Sequence, residues 1–308
     1  MFPFVRRRMY TSALPLIIVL LGVFLLARLT GDPTSLYMPE SATQAQRDAF
    51  AAQNGFDQSV WTQLVDYFKG IIHLDFGTSL RTGQPASEMA LRAFPATLQL
   101  AVTTMLLATV LAVIIGCWAA YRPNSLADRF SSLLSMTAAS IPDFWFAITG
   151  VWLFAVLLGV LPTSGVDSGL SWILPIATLM IRPLGVLTQV VRGAMVSALS
   201  APYVRLARSK GASDFRVVSH HALRNAAAPA LTVAGDLAVG LINGAVVVEA
   251  IFGWPGIGKL MIDAILQRDF AVLQAAVLLT AVSIFVLNII IDACYALLDA
   301  RVREPARV

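Results

Sequence analysis

The residue types that usually carry out chemistry are few in this 308-residue sequence. It contains no G-x-x-x-x-G-K-[ST] phosphate loop, no G-x-S-x-G elbow and no H-E-x-x-H motif. His220 and His221 are adjacent, so on a helix they would point about 100° apart and could not act as paired metal ligands. Cys117 and Cys294 lie in apolar runs, which favours small buried side chains. We therefore expect no catalytic residue and no metal site, and an enzyme is disfavoured.

Four ionisable residues fall within or close to long apolar runs: Asp143, Arg182, Asp236 and Asp292. Charges at membrane depth are costly and often mark function. Asp236, Asn243 and Asp143 are candidates for lining a transport pathway, and Asp236 is the best candidate for contact with cargo. Structural ion pairs and helix breaks are the alternative, and we favour a structural pair for Asp292.

The most informative segment is basic and has helical spacing. Pro202 can begin a helix, Gly211 can end it, and Ser213 can cap a second helix after a sharp bend. Apolar and basic residues alternate along the first helix, which could dock in a groove on a soluble partner or lie on anionic lipid. The pattern alone does not decide between these two. The candidate contact residues are Tyr203, Arg205, Leu206, Ala207, Arg208, Lys210 and Gly211.

Long apolar runs must position these residues. Apolar types make up 57% of the chain and charged types 13%, against roughly 45–50% and about 25% in soluble domains, and the mean hydropathy is +0.75. A soluble domain, intrinsic disorder and a fibrous repeat are excluded. We predict an all-α integral membrane protein with six transmembrane helices, the first a retained signal anchor. The third would be kinked at Pro142 or would include an interfacial piece, and the fourth would be interrupted at Arg182-Pro183. The predicted spans cover about 10–27, 96–120, 130–161, 173–191, 226–248 and 273–298.

The charges predict the orientation of these spans. The termini and loops on one side carry fourteen Lys and Arg residues against four acidic residues, and the opposite side carries seven against eleven. The positive-inside rule therefore places both termini in the cytoplasm. Two long segments, 30–95 and about 249–271, would then lie outside the membrane.

Ordered motifs extend from the basic segment through most of the chain. Residues 203–211 read Y-V-R-L-A-R-S-K-G, close to the pattern Y-[VM]-R-T-A-R-A-K-G, from which Leu206 and Ser209 depart. H-A-L-R-N-A follows at 221–226, and 246–260 read V-V-V-E-A-I-F-G-W-P-G-I-G-K-L. These motifs resemble those of the dipeptide/oligopeptide/nickel family of bacterial ABC importer permeases. Gly31-Asp32-Pro33, which follows the first apolar run, resembles the B-type subunit of that family.

The resemblance implies a type I ABC importer permease fold in the bacterial inner membrane. The chain would divide into an N-terminal segment with the first helix (1–29), an extracytoplasmic segment (30–95) and a permease core (96–308). The core would include a cytoplasmic coupling loop (192–225), whose helix at about 203–211 would transmit the motion of the ATPases. The contact with an extracytoplasmic partner would be made by residues of the loop 249–271, namely Phe252, Trp254, Pro255 and Asp269.

The resemblance also implies partners and cargo. The partners would be a homologous second permease, two ATPase subunits, an extracytoplasmic binding protein and the lipid bilayer, with no nucleic acid. ATP and Mg would be bound by the ATPases, so this chain would hold no cofactor. Peptides are the expected cargo, and nickel chelates, glutathione and haem are alternatives. A stand-alone proton-coupled carrier or channel is the competing hypothesis, although no inverted repeat is visible.

Overall fold

The computed structural model describes residues 14, 15, 17–25, 34, 38 and 41–298. Within these residues the chain is helical, and β pairing is limited to an isolated bridge between Thr78 and Pro85. The helices are α1 (Gln44–Gln53), α2 (Val60–Ile72), α3 (Ala86–Tyr121), α4 (Leu126–Ser140), α5 (Asp143–Gly150), α6 (Ile173–Ser200), α7 (Pro202–Ser209), α8 (Asp214–Arg216), α9 (Leu223–Phe252), α10 (Ile257–Gln267) and α11 (Phe270–Leu298). A 3₁₀ turn precedes α6, and π-helical residues extend α5 (Val151–Leu157) and join α8 to α9 (Val217–Ala222).

Four described helices are long and apolar enough to cross a membrane: Ala86–Tyr121, Gly169–Ser200, Asp214–Phe252 and Phe270–Ile291. They coincide with the predicted second, fourth, fifth and sixth spans. A fifth crossing is counted if α4 and α5 form one bent span. The predicted first span lies partly outside the described residues, of which 14, 15 and 17–25 are helical. The count of six spans stays a prediction.

The sequence predicts that Pro142 and Pro183 each disturb a membrane span. A break at Pro142 is confirmed, because α4 and α5 meet there at 102°, either as one broken span or as a re-entrant loop. The interruption at Pro183 is not found, because α6 continues through it to Ser200. This part of α6 contacts α4, where the Ser135 hydroxyl donates to the Gly185 carbonyl at 2.8 Å.

The chain forms two compact units, one of 1–96 with 255–285 and one of 97–254 with 286–308. In the second unit, small residues bring helices close together. A Cβ built on Gly116 would lie 2.8 Å from Cγ1 of Val191, and one on Gly185 would lie 2.6 Å from Cβ of Ala138. The core of this unit is therefore packed too closely for larger side chains at these two glycines.

The first unit has its own core, made by Ala86, Ala90, Ala264, Val272 and Ala275. The rings of Phe24 and Tyr67 stack with centroids 5.3 Å apart, which ties α2 to the N-terminal helical residues. Burial raises the pKa of Tyr67 to about 12, because the phenolate would lose its hydration.

Candidate transport sites

The predicted helix and bend in the basic segment are confirmed. Pro202 occupies the first turn of α7, where its missing N–H costs nothing. Gly211 has φ +81°, the left-handed conformation that ends helices, and its N–H donates to the Arg208 carbonyl at 2.9 Å. Ser213 occupies the N-cap position of α8, but its side chain makes no capping hydrogen bond. A rigid turn thus separates α7 from the helix that follows.

The surface of α7 and α8 combines apolar area with positive charge. Val204 is buried and holds α7 against the chain, whereas Tyr203 and Leu206 are exposed, Leu206 by 56%. Phe215 is exposed by 82%, although the predicted contact set does not include it. Its signal in the sequence is an apolar residue placed between Asp214 and Arg216. The remaining predicted residues are also accessible: Arg205, Arg208, Lys210 and Gly211 are exposed, and Ala207 is half-buried.

Polar contacts join the helix ends next to α7 and α8. The Tyr121 side chain at the end of α3 interacts electrostatically with Asp214 at the start of α8. Arg192 of α6 makes a two-pronged ion pair with Asp128 of α4, with Nη2 and Oδ2 2.9 Å apart and a second bond from Nε to Oδ1. The backbone N–H of Asn124 also donates to Oδ2 of Asp128 at 2.8 Å. The helices that meet here are therefore joined by more than apolar packing.

Two predicted pathway residues share one face of α9. Asp236 and Asn243 are seven residues apart, which places them about two turns and 10 Å from each other on the same face. Both side chains are exposed, and neither has a partner among the described residues. Gly240, exposed between them, leaves the face open. The structure thus brings these two residues together as a polar stripe within an apolar helix.

The third pathway candidate is placed differently. Asp143 is half-buried in the first turn of α5 and interacts electrostatically with Arg182 of α6. This contact agrees with the structural alternative stated for Arg182. The side chain of Asp292 lies outside the described residues.

The predicted outer contact residues are mostly buried within the chain. Phe252 and Trp254 flank Gly253, whose φ of +62° turns the chain at the end of α9. The Phe252 carbonyl accepts from Gly165 N–H at 2.9 Å. The Trp254 ring packs edge-on against Trp172 with centroids 4.5 Å apart. As placed, these two aromatic side chains support the turn and present no free surface.

Asp269 and Pro255 complete that predicted set. Asp269 is 4% exposed and accepts a hydrogen bond from the Ser79 hydroxyl, whereas Pro255 is exposed. A further buried acid, Glu249, accepts a hydrogen bond from the Thr97 hydroxyl at 2.6 Å. Glu249 is not among the site residues predicted from the sequence. Its signal is an acidic residue at the end of the apolar run V-V-V-E. Local sequence identified this region as unusual but not which side chains face outward.

Comparison with known proteins identifies this helical chain as a membrane component of a transport system. Residues 112–304 match the family model described as binding-protein-dependent transport system inner membrane component. The oligopeptide transport system permease protein AppB of Bacillus subtilis is 34% identical over 309 residues, 97% of this chain and 98% of that protein. The glutathione transport system permease protein GsiC of Salmonella typhimurium is 36% identical over 304 residues, 98% of this chain and 99% of that protein.

A solved structure supports the fold. A chain of the MetNI methionine ABC transporter superposes with a TM-score of 0.57 at 16% identity, covering 68% of this chain and 96% of that chain. The protein belongs to the family of binding-protein-dependent transport system inner membrane components, and the resemblance drawn from its motifs is confirmed.

Proposed function

We propose that this chain is the transmembrane permease subunit of an ATP-driven ABC importer for peptides delivered by an extracytoplasmic binding protein. In this proposal the chain has six spans and both termini in the cytoplasm, so α7 would lie on the side where ATP is hydrolysed. Peptide cargo is supported by relatives named for oligopeptide and glutathione transport, with 34% and 36% identity along almost the whole chain. The other proposed partners are a homologous second permease and two ATPase subunits.

The observation that carries this proposal is the exposed surface of α7 and α8. Leu206 and Phe215 offer apolar area that costs free energy when left in water. Arg205 and Arg208 beside them can pair with acidic side chains on the rim of a groove. An amphipathic helix with this composition suits docking into a groove on a soluble ATPase.

Motion of a docked ATPase would reach the membrane through the base of α7. Val204 is buried, and Tyr121 at the end of α3 interacts electrostatically with Asp214 at the start of α8. A displacement of α7 would therefore act on α3 and, through residues 217–222, on α9 with its stripe of Asp236 and Asn243. We propose that this stripe lines the pathway. Asp143, which interacts electrostatically with Arg182, is proposed as a further pathway residue.

The outer loop 249–271 is proposed to meet the binding protein. Pro255 supplies the exposed surface. Phe252, Trp254 and Asp269 act by holding the turn in place through their buried contacts.

The test is purification of the tagged chain from its native membrane, followed by reconstitution into vesicles. The unmodified chain should recover a second permease and ATPases and should import peptide only with ATP. Leu206→Asp should lose the ATPases, because a carboxylate replaces apolar docking area. Leu126→Asp is the matched control, since Leu126 is 83% exposed at the start of α4 and should tolerate the same change.

Recovery of the folded chain alone, with peptide uptake that needs no ATP, would overturn the proposal in favour of a carrier. Release of both variants from the ATPases to the same extent would refute docking through α7. Retention of the ATPases by Leu206→Asp together with weaker binding of the chain to anionic lipid would assign α7 to the membrane surface.

A further inference from the structure

The first unit contains a cavity of about 290 Å³ that no step of the proposed transport cycle uses. It lies where the loop after α2 meets the start of α11. Phe56, Phe76 and Phe270 supply its apolar wall, and Asn54, Asp269 and Gln274 supply polar atoms. Ligand pockets usually span about 300–1,000 Å³, so this volume restricts the occupant to a small molecule.

Two polar side chains in this wall are buried more than nine-tenths. Gln274 is 7% exposed, and its amide has no hydrogen-bond partner among the described residues. Because Gln274 lines the cavity, its amide offers hydrogen-bonding groups that no described residue occupies and that an occupant of the cavity can use. This observation is independent of the carboxylate at the helix start.

Asp269 adds the charge. Its Oδ2 accepts from the Ser79 hydroxyl, and its Oδ1 accepts from the Val272 N–H at a long 3.4 Å. Both donors are neutral, and no basic side chain among the described residues forms an ion pair with it. Arg81, two residues after Ser79, directs its Nε to the Gln267 carbonyl at 3.4 Å. A buried carboxylate with neutral donors alone is suited to a cationic ligand.

We propose that this cavity binds the α-ammonium group of a small amino acid or dipeptide at the outer face of the permease. Asp269 would accept from the ammonium, and Gln274 would hydrogen-bond to the adjacent peptide group. The faces of the three phenylalanines suit both a cation and an apolar side chain. The assignment rests on the proposed orientation and cargo class, and it adds a site on the permease itself.

The experiment uses the assembled transporter in lipid nanodiscs, without ATP and without binding protein. Titration calorimetry compares alanyl-phenylalanine, N-acetyl-alanyl-phenylalanine and n-butylamine. We expect the free dipeptide to bind and the acetylated one to bind about tenfold more weakly or not at all, because acetylation removes the charge that Asp269 pairs with. Butylamine should bind more weakly than the dipeptide, since it lacks the peptide group for Gln274.

The second part of the experiment measures dipeptide binding by variants of the cavity residues. Gln274→Leu should weaken dipeptide binding about threefold to tenfold and leave the Ser79–Asp269 contact in place. Asp269→Asn should weaken it about tenfold or more, and asparagine still serves as a helix N-cap. Gln267→Leu is the matched control, because Gln267 is exposed at the end of α10 and does not line the cavity.

Equal binding of the free and acetylated dipeptides, or unchanged binding by Gln274→Leu, would overturn the proposal. Butylamine binding as tightly as the dipeptide would also overturn it, by assigning the cavity to any ammonium, such as a lysine of a partner protein. ATP-driven peptide uptake is measured separately on the same preparations. Uptake without dipeptide binding would refute the cavity site alone, whereas loss of ATP-dependence would refute the proposed function.

Discussion

At the scale of single residues, the bend after α7 depends on one backbone conformation. Gly211 has φ +81°, and a Cβ built on it would meet no atom within 4 Å. The size of a substituted side chain is therefore unimportant there. What matters is whether the new residue adopts the left-handed region, which costs a non-glycine residue about 1–2 kcal/mol.

The pair Gly211→Val and Gly211→Asn tests this. Valine strains the bend and should lower the number of peptides imported per ATP hydrolysed, because α7 is displaced from its docking position. Asparagine tolerates positive φ and should retain most of the coupling. Transport and ATP hydrolysis measured together in vesicles give the ratio. Equal ratios for the two variants would contradict a conformational role for Gly211.

The ion pair between Asp128 and Arg192 makes a second residue-scale prediction. The Asp128 side chain is 7% exposed and that of Arg192 28%, so removal of one partner leaves a mostly buried charge. Arg192→Gln should lower the free energy of unfolding by about 3 kcal/mol, the low end for a broken buried pair. Denaturation in detergent measures the loss.

The control for this measurement is the exposed pair Arg92–Glu88, with side chains 66% and 51% exposed. Glu88→Gln should cost less than about 1 kcal/mol, because solvent already screens that pair. A similar loss in both variants would mean that burial does not set the strength of the Asp128–Arg192 contact.

The residues near α7 were predictable from sequence because their environment is local. Pro202 and Gly211 act on their own backbone, and the spacing of the intervening side chains follows from the helix itself. The burial of Trp254 and Asp269 was not predictable in this way. Trp254 contacts Trp172, 82 positions away, and Asp269 contacts Ser79, 190 positions away. Local sequence patterns do not predict contacts over such separations.

At the scale of elements, the contact between α4 and α6 depends on the absence of a side chain at Gly185. Its built Cβ would lie 2.6 Å from Cβ of Ala138 and 3.2 Å from Cα of Ser135. Gly185→Ala should therefore destabilise the protein by about 1–3 kcal/mol through overpacking, despite the better helix propensity of alanine.

Gly193→Ala on the same helix is the matched control. A Cβ there would meet no atom within 4 Å, so stability should be unchanged or slightly higher. Thermal unfolding in detergent separates the two variants. Equal melting temperatures would show that α4 and α6 can move apart without cost.

The elements also show where proline rules hold. Ile141, the residue before Pro142, is extended with φ −90° and ψ 124°, as residues before a proline usually are, and α4 ends there. Pro183 lies within α6, which continues through it to Ser200. The proline rule thus predicts the break at Pro142 and fails at Pro183.

At the scale of the whole molecule, the distribution of charge makes a prediction about sidedness. In a chain with Cys117 and Cys294 changed to alanine, Gln58→Cys should react with an impermeant maleimide in intact cells. Ser209→Cys in α7 should react only after the membrane is opened. Both positions are exposed in the structure, so access to the reagent depends on which side of the membrane they occupy.

Labelling of Ser209→Cys in intact cells would reverse the predicted orientation. It would also remove α7 from the compartment of the ATPases. An amino-terminal reporter tests whether the helical residues 14, 15 and 17–25 belong to the predicted first span, which would bring the number of spans to six.

The π-helical residues Val217–Ala222 determine where the chain can lose a residue during evolution without rearrangement of its helices. A π turn accommodates one residue more than an α turn while the helix on either side keeps its course. Deletion of one residue within 217–222 should therefore convert this stretch to ordinary α-helix and leave the orientation of α7 largely unchanged. The same loss within 231–236 would rotate everything beyond it by about 100° and move Asn243 off the face of α9 that it now occupies. The join between α8 and α9 is thus a place where insertions and deletions can be tolerated during divergence.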